Sequence, residues 1–374
     1  MRIPRMKTLR NLALLGAAGT AAAGVGIGLA GFALWRKLGM RGEDVSGQVV
    51  LITGSSRGLG LAMAQDFAQL GARLVICARD QRELEWARAE LERMGAEVLA
   101  VRCDVSSAED VKGMIEAAVA RFGRIDILIN NAGIISVGPL ATQTLADFQE
   151  AMNVMFWGVV YPTLAVLPQM LRRRRGRIAN VTSIGGKVSV PHLLPYNCAK
   201  FAAVGFSEGL RSELAKDGIK VTTVVPGLMR TGSHVNAFFK GDNRAEFSWF
   251  SVSASSPVTA MSGRRAARSI VNAVRRGRSE IILTPQAQLL AAFHGLFPGL
   301  TCDILGVVNR ILPGTGSTSQ ERHTGKESES AVSNSLLTKL GRKAGEELHQ
   351  YPERGEPAQR ATGTLGQPRP APAT

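Results

Sequence analysis

Tyr196 and Lys200 lie four residues apart, a spacing that puts a phenol and an ammonium on one face of a helix. Ser183 follows Arg177 to Thr182, which reads as a strand, and so falls at the sheet end where α/β folds bind ligands. Near the start of the alternating region, Thr53-Gly54-Ser55-Ser56-Arg57-Gly58-Leu59-Gly60 carries glycines at Gly-x-x-x-Gly-x-Gly spacing, between an apolar run and a helical pattern. Glycines at such a turn let the backbone come close to a pyrophosphate. The helix start beyond it offers unpaired N–H groups and the positive end of a dipole. Together these residues point to chemistry carried out beside a bound dinucleotide.

The sequence also bears on which dinucleotide. An NAD site places Asp or Glu at the end of the second strand, to accept from the ribose 2′-hydroxyl. Here that position is Ala78, followed by Arg79. A carboxylate would repel a 2′-phosphate. Arg79, with Arg57 in the glycine turn as a second cation, attracts one, so NADP(H) is the expected cofactor. Asp104, just after the third strand, is placed either to accept from the adenine amine or to cap the next helix, a role for which Ser106 and Ser107 compete.

The elements that must hold these residues follow from periodicity. Val49 to Thr53, Arg73 to Ala78, Val98 to Cys103, Ile125 to Ile129, Arg177 to Thr182 and Lys220 to Val225 are short apolar runs, read as buried parallel strands. Between them Leu59 to Leu70, Gln81 to Met94 and Ala108 to Phe122 have helical spacing and stop at Gly71, Gly95 and Gly123. Asp147 to Val160 reads as a further helix. Regular alternation of this kind predicts an α/β fold, a Rossmann-type doubly wound parallel sheet with helices on both faces, as a single catalytic domain over residues 45–285 with extensions at both ends.

With Asn130-Asn131-Ala132-Gly133 and Pro226-Gly227 added, residues 45–285 resemble a short-chain dehydrogenase/reductase. Taken singly, each piece has a plainer role: a tyrosine packing an amphipathic helix, a serine capping after a strand, an Asn-Asn turn. Their common order on the expected elements carries the resemblance, which covers about two thirds of the chain. It implies that Tyr196 is the general acid in reduction and the base in oxidation. A free tyrosine titrates near ~10, and the Lys200 cation one turn on favours the phenolate. It implies that Lys200 also binds the nicotinamide ribose, that Ser183 stabilises charge on the substrate oxygen, that Asn153 holds a water in a proton relay, and that Thr231 orients the carboxamide. By the same resemblance, Gly54, Ser56, Arg57, Gly58, Leu59, Gly60, Arg79, Asp104, Val105, Asn131, Ala132, Gly133, Tyr196, Lys200, Pro226, Gly227 and Thr231 line the dinucleotide.

The ends depart from that pattern. Residues 1–42 hold a basic start and then Asn11 to Trp35 without a charge, closed by Arg36, Lys37 and Arg41. That run is long enough for a membrane anchor, with a cleaved signal peptide as the other reading. Because the chemistry draws on cytosolic NADPH, the catalytic domain is expected on the cytoplasmic side of that membrane. Residues 286–313 are apolar and interrupted by Pro298, which predicts one or two amphipathic helices packing on the core, a partner subunit or a membrane surface. Residues 314–374 read as a disordered polar tail. The four cysteines form no metal-ligand or disulfide pattern, so no metal is expected. The formal charge of +15 comes from scattered arginines without interleaved aromatics, which argues against nucleic acid and suits an anionic membrane surface. Phe238, Phe239, Phe247, Trp249 and Phe250 concentrate after Thr231 and predict an apolar lid, with Val188, Val190, Leu193 and Leu194 as the opposite wall. The expected substrate is a lipophilic carbonyl or alcohol, and the expected assembly a homo-oligomer. The competing readings are a 3-oxoacyl reductase and a non-catalytic dinucleotide-binding membrane protein. The latter has no need of Tyr196 and Lys200, and both are present.

Overall fold

The computed structural model describes residues 42–314, 319–333, 335 and 338–351. The segment read as a membrane anchor, Gly42 apart, lies outside the described residues. In chain order the core elements are β1 (Val49–Thr53), α1 (Gly58–Gln69), β2 (Arg73–Ala78), α2 (Gln81–Arg93), β3 (Val98–Arg102), α3 (Ala108–Phe122), β4 (Ile127–Asn130), β5 (Ser136–Val137), α4 (Leu145–Met152), α5 (Gly158–Arg173), β6 (Gly176–Val181), α6 (Leu194–Glu213) and β7 (Ile219–Val225). There follow β8 (Leu228–Arg230), β9 (Phe238–Phe239), α7 (Asn243–Ser255), β10 (Ala260–Ser262), α8 (Gly263–Arg275) and β11 (Glu280–Ile282). The predicted strands and first helices fall within two residues of these bounds, because five- and six-residue runs that are apolar but for a terminal Thr53 or Arg73, with glycines close by, favour short buried strands.

Seven strands form one parallel sheet in the order β11-β7-β6-β4-β1-β2-β3. The order reverses between β1 and β4, the switch point where a doubly wound sheet leaves a crevice at its C-terminal edge. Alternate residues of β1 face opposite layers. Val50 and Ile52 pack with α1, α2 and α8 through Phe67, Leu84, Leu91, Ile270 and Val274. Val49 and Leu51 pack with α3 and α5 through Met114, Ala118, Val166 and Met170.

Two sequence expectations need correction. The helix read as Asp147 to Val160 runs on to Arg173, past Pro162 and Pro168, and widens into a π turn over Asn153–Trp157 between α4 and α5. This 29-residue stretch is long and apolar enough to cross a membrane, but half of its most apolar window is buried in the domain, as in a core helix. The extension after β11 forms α9 (Pro285–Leu296) and α10 (Pro298–Asn309), broken at the proline as expected. Only part of it is buried, leaving the partner-subunit and membrane-surface placements open: Ala287 is buried, while Leu289, Leu296 and, beyond α10, Ile311 are 73%, 74% and 82% exposed. Finally, the polar tail is not structureless throughout. β12 (His323–Thr324) adds antiparallel to β9, and α11 (Lys339–Glu347) packs over the region after β7. Composition missed this because the tail holds its place with backbone pairing, glycines and a few anchors rather than an apolar face. Arg322 lies over the Phe238 ring at 4.6 Å and pairs with Glu150, and Leu348 is buried.

Asp147 illustrates how the lid is tied down. Its carboxylate caps Thr144 and meets the Lys240 ammonium at 2.5 Å, both side chains being almost fully buried. Breaking such a pair from one side strands a buried charge. Lys240→Met should therefore lower unfolding free energy by about 3–5 kcal/mol, while Lys240→Met with Asp147→Leu recovers much of the loss. Urea unfolding of the single and double variants measures both.

Candidate active site

The glycine turn is fixed from two sides. The Thr53 hydroxyl accepts from the backbone N–H groups of Asn131 and Ala132 at 2.9 and 3.1 Å. The Asn131 side-chain amide donates to the carbonyls of Thr53 and Gly54 at 3.0 and 2.9 Å. Gly54 and Gly58 have φ of +62° and +61°, conformations that glycine alone adopts freely. A Cβ on Gly60 would run into the Gly54 carbonyl and the Asn131 amide, and one on Gly54 would press on Ala132. The turn thus presses against the β4 loop and aims the start of α1, with its orphan N–H groups, at the crevice. A nicotinamide dinucleotide fits these residues by the donors they offer. The Asn131 side chain is spent holding the turn, so its part is to position rather than to bind.

At the adenosine end, Asp104 turns its Oδ1 onto the N–H and hydroxyl of Ser106, and Ser107 caps α3 by accepting from Asp110 N–H. The competition for the cap therefore goes to Ser107. Val105 is buried with Ala151, Val154 and Met155. Arg79 is exposed next to Ala78. Arg57 is held by Glu83 at 2.6 Å, and Ser56 donates to the same carboxylate at 3.2 Å. Sequence reading passed over Glu83. It sits in the first turn of α2, capped by Asp80, and nothing in a charged amphipathic helix marks one glutamate as facing the glycine turn.

Ser183, Tyr196 and Lys200 come together at the end of β6. The Tyr196 ring and the Ser183 hydroxyl both border Gly185, and burial raises the Tyr196 pKa against the opposing influence of that hydroxyl. The Ser183 hydroxyl also accepts from Gly185 N–H at 3.0 Å. A Cβ at Gly185 would meet Asn197 and the Tyr196 ring. Lys200 Nζ lies 5.8 Å from the Tyr196 ring centroid and donates to the Val181 carbonyl at 2.9 Å. Burial lowers its pKa to about 8. Desolvation acts on both groups in the same sense, favouring the neutral phenol and the neutral amine. Asn153 opens the π turn and is exposed, outside the Ser-Tyr-Lys cluster. On the other flank, the Pro226 carbonyl accepts from Ile184 N–H at 2.8 Å, Gly227 packs against Thr284, and Thr231 is buried.

The lid aromatics mostly face one another. Phe239, Phe247 and Phe250 form a buried cluster with Val137 and Ala237, in edge-to-face contacts of 5.2 and 6.0 Å. Half-buried Ile135, Leu193 and Trp249 border that cluster, while Ile134, Met152 and Tyr196 all pack on a second one, of Val105, Ala151, Val154, Met155 and Ala199. His192 Nδ1 and Trp249 Nε1 both reach the buried Glu246 carboxylate, each at 2.7 Å, which locks the lid helix α7 to the loop before Tyr196. This triad was also invisible in sequence, since its members are 54 and 3 residues apart.

The contact between the two halves of the turn is tight enough to test. Gly60→Ala should cost about 1–3 kcal/mol of stability through overpacking, read by denaturant unfolding, whereas Gly113→Ala, at an open helical position, should cost nothing or stabilise.

A family model for short chain dehydrogenases matches residues 48–239. The chain is 38% identical over 237 residues to 11-beta-hydroxysteroid dehydrogenase A of Sesamum indicum, covering 63% of this chain and 68% of that one. Its fold superposes on a short chain dehydrogenase/reductase from Burkholderia phymatum in complex with NAD with a TM-score of 0.63, at 26% identity over 69% of this chain and 96% of the other. It also superposes on actinorhodin polyketide ketoreductase with NADPH, with a TM-score of 0.56 at 28% identity over 64% and 97% of the two chains. The chain therefore belongs to the short-chain dehydrogenase/reductase family, oxidoreductases that interconvert alcohol and carbonyl groups with a nicotinamide dinucleotide.

Proposed function

We propose that this protein is an NADP(H)-dependent reductase of lipophilic carbonyl compounds in which Tyr196 is the acid and base. The observation that carries the reading is the convergence of Ser183 and Tyr196 on Gly185, with Lys200 beside the phenol ring, at the strand end next to the glycine turn. When bound, the dinucleotide supplies or accepts the hydride. Ser183 holds the substrate oxygen and stabilises the charge that gathers there. Tyr196, kept protonated by burial, delivers its proton to that oxygen in reduction. Lys200 supports the phenolate left behind, and exposed Asn153 connects the site to solvent through water. Thr231 and the Pro226-Gly227 turn orient the cofactor, with Gly54, Ser56, Gly58, Leu59, Gly60, Asp104, Val105, Ala132 and Gly133 along its length.

The preference for NADP(H) rests on Arg79, exposed beside Ala78, where a 2′-phosphate can reach it. Arg57 joins only by sharing itself with Glu83. The lipophilic substrate is supported by the apolar rim of Ile134, Ile135, Leu193 and Trp249. The apolar outer side of α4 and α5, with Leu145, Trp157 and Leu164 exposed, supports a homo-oligomer. Residues 11–35 are assigned as the membrane attachment, with the domain on the cytoplasmic side.

Oxidation of NADPH by the full chain, assayed with carbonyl compounds graded from polar to long-chain apolar, is expected to rise with apolarity. Tyr196→Phe should lower kcat by about 10²–10⁴, and turnover confined to small polar ketones would sink the lipophilic reading. Arg79→Glu should raise KM for NADPH roughly 10- to 100-fold, the loss of ~1.5–3 kcal/mol from a charged contact, and narrow the gap to NADH. Lys200 keeps its proton below its folded pKa of about 8 and loses it above, while Tyr196 titrates higher. The kcat/KM for reduction should thus fall as pH rises through about 8, and Lys200→Arg, if active, should move that fall upward.

A further inference from the structure

The C-terminal segment does more than cover the lid. We propose that residues 345–351 are an internal occupant of the dinucleotide cleft: in the free chain they lie across the pyrophosphate position, and NADP(H) binding displaces them. This rests on the reading of Thr53 to Gly60 as the pyrophosphate site.

The contacts run from one bank of the crevice to the other. The Gly58 N–H, in the first turn of α1, donates to the Leu348 carbonyl at 2.8 Å. A helix start is where a phosphate oxygen binds, and here a carbonyl oxygen of the same chain takes one of its donors. The Gln350 side-chain amide packs on Gly58, so closely that a Cβ there would collide with it. From the opposite bank, the Asn236 amide donates to both the backbone carbonyl and the side-chain oxygen of Gln350, at 2.9 and 2.8 Å. A Cβ on Gly232, next to the Thr231 assigned to the nicotinamide end, would fall on Gly345. The segment thus bridges the glycine turn and the loop after β7, between which an extended dinucleotide must lie.

Burial agrees with this placement. Ser56 and Thr231, both assigned to cofactor contact, are only 4% and 2% exposed. Leu348 is 2% exposed and belongs to the same apolar cluster as Leu59, so the occupant is held by an apolar anchor as well as by hydrogen bonds. Its grip has a weak point. His349 has φ of +56°, a left-handed conformation that costs a non-glycine residue about 1 kcal/mol. Release would also reach the lid, because α11 sets Gly341 against Ser255 and His234 and packs on α7. Dinucleotide binding would therefore loosen the substrate lid by the same movement. An occupied fraction of the chain cannot bind nucleotide, so the apparent dissociation constant is the intrinsic one divided by the open fraction.

The test is NADPH binding to the full chain, followed by nucleotide fluorescence, for the unmodified protein, Leu348→Asp and Gln350→Ala, with hydrogen exchange of residues 339–351 in the unmodified protein with and without saturating NADPH. The proposal expects both variants to bind NADPH at least several-fold tighter, and the segment's amides to exchange faster when NADPH is bound. Unchanged affinity overturns it, as do weaker binding and slower exchange, which would make the segment a clamp that completes the site. Absence of NADPH binding in all three proteins would overturn the dinucleotide reading of the turn, and the proposal with it.

Discussion

The structure depends on the parallel pairing of β1 with β4 and on the single hydroxyl that finishes it. Thr53, the last residue of β1, accepts two backbone N–H groups from the loop after β4. Asn131 returns two hydrogen bonds from its amide to the carbonyls beside it. This closes the seam at the one point where strand order reverses. A reversal leaves the helices on either side diverging, and the space between them is the crevice. Because the seam is closed by backbone and short polar side chains, it admits no Cβ at Gly54 or Gly60.

A buried polar chain carries that rigidity to the catalytic corner. Asn130 donates to Thr163 and Asn180, Asn180 donates to Ser207, and Ser207 bonds Thr223. These five side chains come from β4, α5, β6, α6 and β7, and all are buried. A buried network of this kind favours one arrangement of its elements, since a slip would leave further groups unpaired in low dielectric besides the Asn130 Oδ1 that already lacks a partner. Its effect is to set the loop after β6, with Ser183, beside Tyr196 on α6.

The proposed acid–base residues are tuned chiefly by desolvation. Burial raises Tyr196 and lowers Lys200 to about 8, so near neutral pH the phenol holds its proton while Lys200 is still an ammonium. The lid departs from its simplest reading in a similar way: its aromatics satisfy one another, and the locking interaction is the buried Glu246 between His192 and Trp249.

The sequence by itself determined the parallel sheet and, within about two residues, the bounds of its strands, and it put forward the ordered set of candidate site residues. Short apolar runs can only be buried strands, and a glycine turn or a Tyr-x-x-x-Lys spacing is local geometry written directly in residue order. Tertiary structure decided what depends on residues distant in sequence. Glu83 captures Arg57 across 26 positions. The Thr163 hydroxyl serves Asn130 across 33. Leu348 and Gln350, in a stretch whose composition reads as disorder, reach Gly58 nearly three hundred residues away. Such contacts are made by backbone carbonyls, single amides and one leucine. They carry no periodic signal, and their partners become visible only when folding brings the two ends of the chain to the same crevice.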